Sequence, residues 1–219
     1  MIIMHPHQMV FIGTPKAACN AMYAWLERNL DGLRESFHRR DVPDEAKDYW
    51  RFTVVRNPYA RAVSMWWSLT GQGGAKEYPA TESLRREEGD TSLPAFLRWV
   101  LRRWPEYVCE GLPDGWIGPQ VAWLRPAEPV GFCLHMESLE DELTSMLQWC
   151  VEKDEPWPSI ERLNETRAQY GPWEKHMTAE VVELIDAWAG EDFERFGYER
   201  RAGHSGGRGP AREGAAVGA

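Results

Sequence analysis

A chain of 219 residues, 43% hydrophobic and 27% charged, is long enough for one domain with a substantial buried core. Its formal net charge of −9, from 34 acidic against 25 basic residues, argues against nucleic acid or an anionic membrane as a partner, so any polyanion site must be a local gathering of basic groups. No run of about 18 apolar residues occurs, MIIMHPHQMV has no basic segment ahead of an apolar one, and Cys19, Cys109, Cys133 and Cys150 fit neither metal nor CxxC spacing; free thiols in a cytoplasmic protein are expected.

Residues 9–13, MVFIG, read as a short buried strand, and 17–30 as a helix with Met22, Trp25, Leu26 and Leu30 on one face. RFTVV at 51–55 is a second strand, and Asn57 and Pro58 supply the N-cap and first-turn residues of a second helix. Strand, short loop and helix thus occur twice, which favours an α/β fold with a parallel sheet. Residues 71–91, rich in Gly, Glu, Arg and Thr, suggest an exposed loop or mobile insertion. Ser92 and Pro94 open a helix with Phe96, Leu97, Val100, Leu101 and Trp104 inward. VGFCL at 130–134 is a third strand, followed by a helix from Ser138, which forms a capping-box pattern with Asp141. The last helix is expected from about Thr178 to Trp188, and the Gly/Ala-rich residues 202–219 read as a disordered tail behind a domain of residues 1–201. Twelve tryptophans suggest large aromatic walls in the core or a pocket.

Thr14-Pro15-Lys16 stands between the first strand and its helix. A helix N-terminus exposes unpaired N–H groups and partial positive charge, so a lysine placed there is electrostatically misplaced unless an anion joins it. Small residues at Ala17 and Ala18 let the backbone approach a phosphate. The GxxxxGK[ST] spacing and its magnesium-binding hydroxyl are absent, which disfavours a magnesium triphosphate. Arg56 ends the second strand and Ser64 follows within the next helix, a suitable pair for a phosphate monoester. Each segment alone reads more simply, as an exposed loop lysine or an arginine paired with a carboxylate. Two such sites on one sheet suit a ligand with phosphates at both ends of an adenosine.

The segments TPKAACNAMYAWL and FTVVRNPYARAVSMW resemble the 5′-phosphosulfate loop and the 3′-phosphate-binding strand and helix of sulfotransferases. GPQVAWL, VGFCLHMESLEDEL, NETRAQYGPW and DFERFGY continue the order of the Golgi-type carbohydrate sulfotransferase superfamily and its bacterial and phage relatives. The resemblance covers about residues 9–200 and implies a P-loop-like three-layer fold with a central, mostly parallel sheet flanked by helices. It implies transfer of a sulfonate group from 3′-phosphoadenosine 5′-phosphosulfate to the hydroxyl or amine of a small-molecule or carbohydrate acceptor, without a metal. Pro15, Lys16, Ala17, Ala18, Cys19, Asn20, Arg56, Ser64, Arg167 and Tyr170 would bind the donor, and Lys16 would stabilise the leaving phosphate. The family usually has glycine where this chain has Ala18, and hydroxyl residues at Asn20 and Ala21.

His38 stands where relatives carry a base after the first helix, and its ordinary pKa suits that work; it also reads as a surface histidine beside Arg39 and Arg40. Glu35 and Asp41 are the alternative bases. His135 suits a structural hydrogen bond, Glu137 a cap or fold role or a nucleotide contact, and the Trp66-Trp67 pair one core and one pocket-wall position. Arg39 and Arg40 read as solvated charges or as a recruiter of an anionic acceptor. Two other classes stay open: a degenerate relative that binds nucleotide without turnover, and a P-loop-like kinase.

Overall fold

The computed structural model describes residues 1–36, 39–71, 78–104, 115–153, 155–161 and 170–201. Five strands form one sheet in the order β3-β1-β2-β4-β5: β1 (Ile2–Met4), β2 (Met9–Ile12), β3 (Leu33–Arg34), β4 (Trp50–Val55) and β5 (Phe132–His135). The three strands expected from sequence are β2, β4 and β5, and they run parallel as expected. The sheet as a whole is mixed, however, because β1 pairs antiparallel with both β2 and β3. Only a one-turn 3-10 segment, His5–His7, and a left-handed Gln8 separate β1 from β2, far too little chain for a parallel crossover.

Side chains alternate between the sheet's two faces. Val10, Ile12 and Val55 enter one apolar cluster with α2 (Pro58–Leu69), α4 (Leu93–Arg103) and α5 (Gln120–Leu124), joined by α7 (Ala179–Trp188) and α8 (Gly190–Phe196). Met9, Phe11, Phe52 and Val54 enter the other with α1 (Cys19–Asn29) and α6 (Leu139–Cys150). Helices therefore cover both faces of an α/β sheet. None of those described is long and apolar enough to cross a membrane.

Three local expectations need correction. The supposed loop at 71–91 contains α3 (Pro79–Glu88), which buries Ala80 and Leu84 and holds α4 through Glu87 and Glu88 pairing with Arg98, Arg102 and Arg103. A helix held largely by ion pairs to a neighbour leaves little apolar periodicity to read. The Ser138 hydroxyl turns to the Glu142 carboxylate, to which it donates, and caps no amide. The helix ending at Trp188 is followed by α8. Cys19, buried, and Cys133 and Cys150, half-buried, are free thiols as expected. Residues 202–219 and Cys109 lie outside the described residues. Asn57, Ser92 and Thr178 do cap their helices.

His135 fastens the end of β5 to the C-terminal segment. Its Nδ1 faces Glu142 at 3.1 Å and its Nε2 the Phe196 carbonyl at 2.8 Å, with the Tyr198 ring edge-on. Two acceptors require two donors, so this is an imidazolium site. Burial opposes the charge, but the Phe196 carbonyl and the Glu142 carboxylate outweigh it and raise the pKa. The folded pKa lies above the unfolded one, so the stabilisation is complete below about pH 6.5 and is lost as pH rises through the raised value. The Tm difference between the wild type and His135→Asn is expected to be widest in mildly acidic buffer and to shrink by pH 8.5 or so; thermal melts showing a constant difference would contradict the clasp.

Candidate functional site

β2 and β4 are parallel neighbours, so the residues that follow them meet at one edge of the sheet. After β2 the chain turns through residues 13–18 into α1. Ala17 N–H donates to the Thr14 carbonyl at 3.1 Å, and Lys16 and Ala18 adopt left-handed φ values of 67° and 54°. Gly13 has no substitute: a Cβ there would lie 2.3 Å from the Tyr23 hydroxyl. Glycine adopts such a φ without strain, and at Ala18 this chain meets it with a strained alanine.

Five consecutive carbonyls in this turn are held by side chains. The Thr53 hydroxyl donates to Ile12 at 2.7 Å, the Trp123 indole to Gly13 at 3.1 Å and the Cys19 thiol to Thr14 at 2.8 Å. Arg61 Nε donates to Pro15 and Arg56 Nη1 to Lys16, each at 3.1 Å. Thr14 also donates its hydroxyl to Thr53 at 2.9 Å. At the start of α1, Ala18 offers no capping side chain and the first turn holds no acid. The first amides of α1 therefore have neither an intrahelical acceptor nor a cap, the arrangement that receives an anion.

Lys16 is half-buried, and desolvation, followed by the Arg56 charge, pulls its pKa down to about 8. Burial pushes the Cys19 thiol up to about 12, and its sulfur faces the Thr14 carbonyl, so a ligand at the start of α1 would meet this residue only through its backbone. Asn20 is exposed in the first turn of α1, Ala17 is buried and Ala18 half-buried.

Arg56 sits where β4 ends. The Gln120 side chain grips its backbone from both sides, accepting from its N–H at 2.8 Å and donating to its carbonyl at 2.9 Å. The guanidinium bonds the Lys16 carbonyl and, at 3.3 Å, the Tyr170 hydroxyl. Tyr170 packs 5.6 Å from half-buried Trp67, one turn beyond Ser64; Trp66 is in the core, as expected of that pair. Ser64 is 3% exposed and forms no hydrogen bond among the described residues. The start of the helix after Pro58 is no open anion site. Asn57 caps its first amides, and the Glu137 carboxylate accepts from the Asn57 N–H at 2.9 Å and from Tyr198 at 2.8 Å.

The turn, Arg56 and Tyr170 are thus brought together by direct bonds. His38 and Arg167 lie outside the described residues. Arg39 engages both alternative bases, Glu35 and Asp41, and the Asp41 carboxyl is held below its usual range by its own backbone amide and by Arg39. His5, His135 and His176 each have a structural partner.

A family model described as "Sulfotransferase family" matches residues 1–199. The chain belongs to the sulfotransferase family. Neither curated proteins nor solved structures include a significant match to it.

Several residues that shape this sulfotransferase site escaped the sequence reading. Arg61 is fully buried; besides Pro15 it donates to the Gly118 carbonyl at 2.9 Å and the Trp116 carbonyl at 3.4 Å, and it lies over the Trp188 ring. Burial lowers its pKa to about 10, while the nearby Asp192 opposes that shift. Asp192 accepts from the amides of Gln120 and Val121 and so caps α5. Arg61 did carry a signal, being a charge on the apolar face of a helix; Asp192 carried none. Arg61→Met is expected to lower stability by about 3 kcal/mol, because three carbonyls lose a charged donor inside the protein. Urea denaturation measures this, and a loss below about 1 kcal/mol would deny Arg61 its bracing role.

Proposed function

We propose that this sulfotransferase takes 3′-phosphoadenosine 5′-phosphosulfate as donor, passes the sulfonate to an acceptor hydroxyl or amine, and releases adenosine 3′,5′-bisphosphate. The carrying observation is the bond from Arg56 to the Lys16 carbonyl, which fixes two positive groups on adjoining strand ends at one edge. The uncapped amides of α1 and Lys16 suit the 5′-phosphosulfate, and Arg56 with the Ser64 hydroxyl suits the 3′-phosphate. Tyr170 would close the 3′ side together with Arg167, and the strand, turn and helix are read as P-loop-like.

The donor supplies an activated sulfur whose bond to the bridging oxygen breaks as the acceptor oxygen or nitrogen bonds to it. Lys16 and the α1 amides stabilise the negative charge that gathers on the departing phosphate. His38 takes the acceptor proton. Cations and backbone dipoles of the chain supply the positive field, so the proposed transfer is metal-independent. Acceptors are small molecules or carbohydrates. The left-handed Ala18, whose methyl lies in the turn, favours one second reading: a relative that binds the nucleotide without turnover. Tight bisphosphate binding with no sulfated product would select it, and magnesium-dependent ATP turnover would select a kinase.

Adenosine 3′,5′-bisphosphate is expected to raise Tm more than ATP, which lacks the 3′-phosphate; at about 100 times its Kd it adds roughly 2.7 kcal/mol. Equal shifts would sink the donor assignment. The Lys16 pKa of about 8 adds a pH signature. Above that pH, binding draws a proton onto Lys16, so calorimetric affinity falls with rising pH by up to roughly tenfold per unit, and Lys16→Met removes the slope.

In single turnovers on a sugar or aliphatic alcohol, Lys16→Met is expected to cost roughly 10²-fold or more in rate. His38→Ala is expected to cost roughly 10²- to 10⁴-fold with bisphosphate affinity unchanged. A near-native rate in His38→Ala would assign the base elsewhere.

A further inference from the structure

Arg39 and Arg40 are neighbours in sequence with opposite surroundings. Arg39 closes on the Glu35 and Asp41 carboxylates, each at 3.1 Å. Arg40 is half-buried and forms no ion pair or hydrogen bond among the described residues, although the chain holds nine more acidic than basic side chains. A half-buried guanidinium with no carboxylate among the described residues keeps its charge for a partner from outside.

Its position is fixed by two elements that also hold the phosphate turn. The guanidinium carbon lies 4.6 Å from the ring centroid of buried Trp123, whose N–H bonds the Gly13 carbonyl where the turn begins. On another side lies Gly115, with φ +78°; a Cβ there would stand 3.1 Å from Arg40 Nη1. The segment running on from Gly115 presents the Trp116 and Gly118 carbonyls to Arg61, which in turn grips Pro15. A guanidinium lying over an indole face keeps its charge and its fork of N–H donors, which can receive an oxyanion in bidentate fashion.

We propose that Arg40 binds an anionic group of the acceptor, so that this sulfotransferase modifies a molecule that already carries a carboxylate, sulfate or phosphate. The inference rests on the donor reading, in which Lys16 and Arg56 are occupied by the donor's own phosphates and leave Arg40 as a separate cation near the turn.

Inorganic sulfate is the probe. The full chain, saturated with adenosine 3′,5′-bisphosphate, is titrated with sulfate at constant ionic strength against chloride, followed by thermal shift and by the Arg40 Nε–Hε NMR signal. Sulfate is expected to move that signal, and Arg40→Gln to weaken sulfate binding roughly tenfold with bisphosphate affinity unchanged. Arg40→Lys, which keeps the charge and loses the fork, is expected to fall between. Equal sulfate affinity in the wild type and Arg40→Gln would overturn the proposal. A loss in Arg40→Gln confined to the affinity that the phosphosulfate donor has over the bisphosphate would assign Arg40 to the donor's sulfonate and overturn the acceptor assignment. A wild type that does not bind the bisphosphate refutes the donor reading, and the same titration without nucleotide still decides whether Arg40 holds an oxyanion.

Discussion

Five successive backbone carbonyls, from Ile12 to Lys16, are each held by a side-chain donor, and this constraint gives the site its sign. A bare turn presents carbonyl oxygens and amide hydrogens in similar measure and has no preference for an anion. Here the oxygens are drawn toward Thr53, Trp123, Cys19, Arg61 and Arg56, and the uncapped amides of α1 remain. Left-handed backbone at Lys16 and Ala18 is tolerated because the surrounding bonds over-determine the turn. Those donors come from β4 and the residue after it, from α1 and α2, and from α5, so both faces of the sheet must be packed before the turn is complete.

The same bonds concentrate positive charge in an acidic molecule. Lys16, Arg56 and Arg61 converge on the turn, and each cation lowers the tendency of Lys16 to hold its proton. Arg61 is enclosed by three carbonyls and the face of Trp188, with buried Asp192 as a nearby countercharge. Burying a guanidinium costs several kcal/mol, and carbonyl bonds with an aromatic face offset that cost without neutralising the charge. The charge therefore adds to the positive field of the turn. At the neighbouring helix the logic is reversed: Glu137 already sits against the backbone at the start of α2, and Asn57 caps its first amides.

Much of this was legible in the chain. The strands β2, β4 and β5 are apolar runs, and Asn57-Pro58, Ser92 and Thr178 announce their helices through chemistry confined to three or four residues. The first two strands and α2, small residues after Lys16, and Arg56 with Ser64 lead to the family in the same way. The antiparallel β1 and β3 were not legible, because two- and three-residue strands show no period. α3 was hidden because much of its hold on α4 is ionic, and α8 follows the preceding helix too closely to be separated by pattern.

By itself the sequence determined the parallel core of the sheet, the two strand ends that carry Lys16 and Arg56, and membership of the sulfotransferase family, since all three rest on short contiguous patterns. Only the tertiary structure decided which groups of those ends are free to act. It occupied the start of α2 with Glu137, turned the Cys19 thiol inward, paired Arg39 and left Arg40 without an ion pair among the described residues. The physical reason is range: partners such as Trp123 and Gly13, 110 residues apart, meet only when helices pack on both faces of the sheet, and no local pattern encodes that meeting.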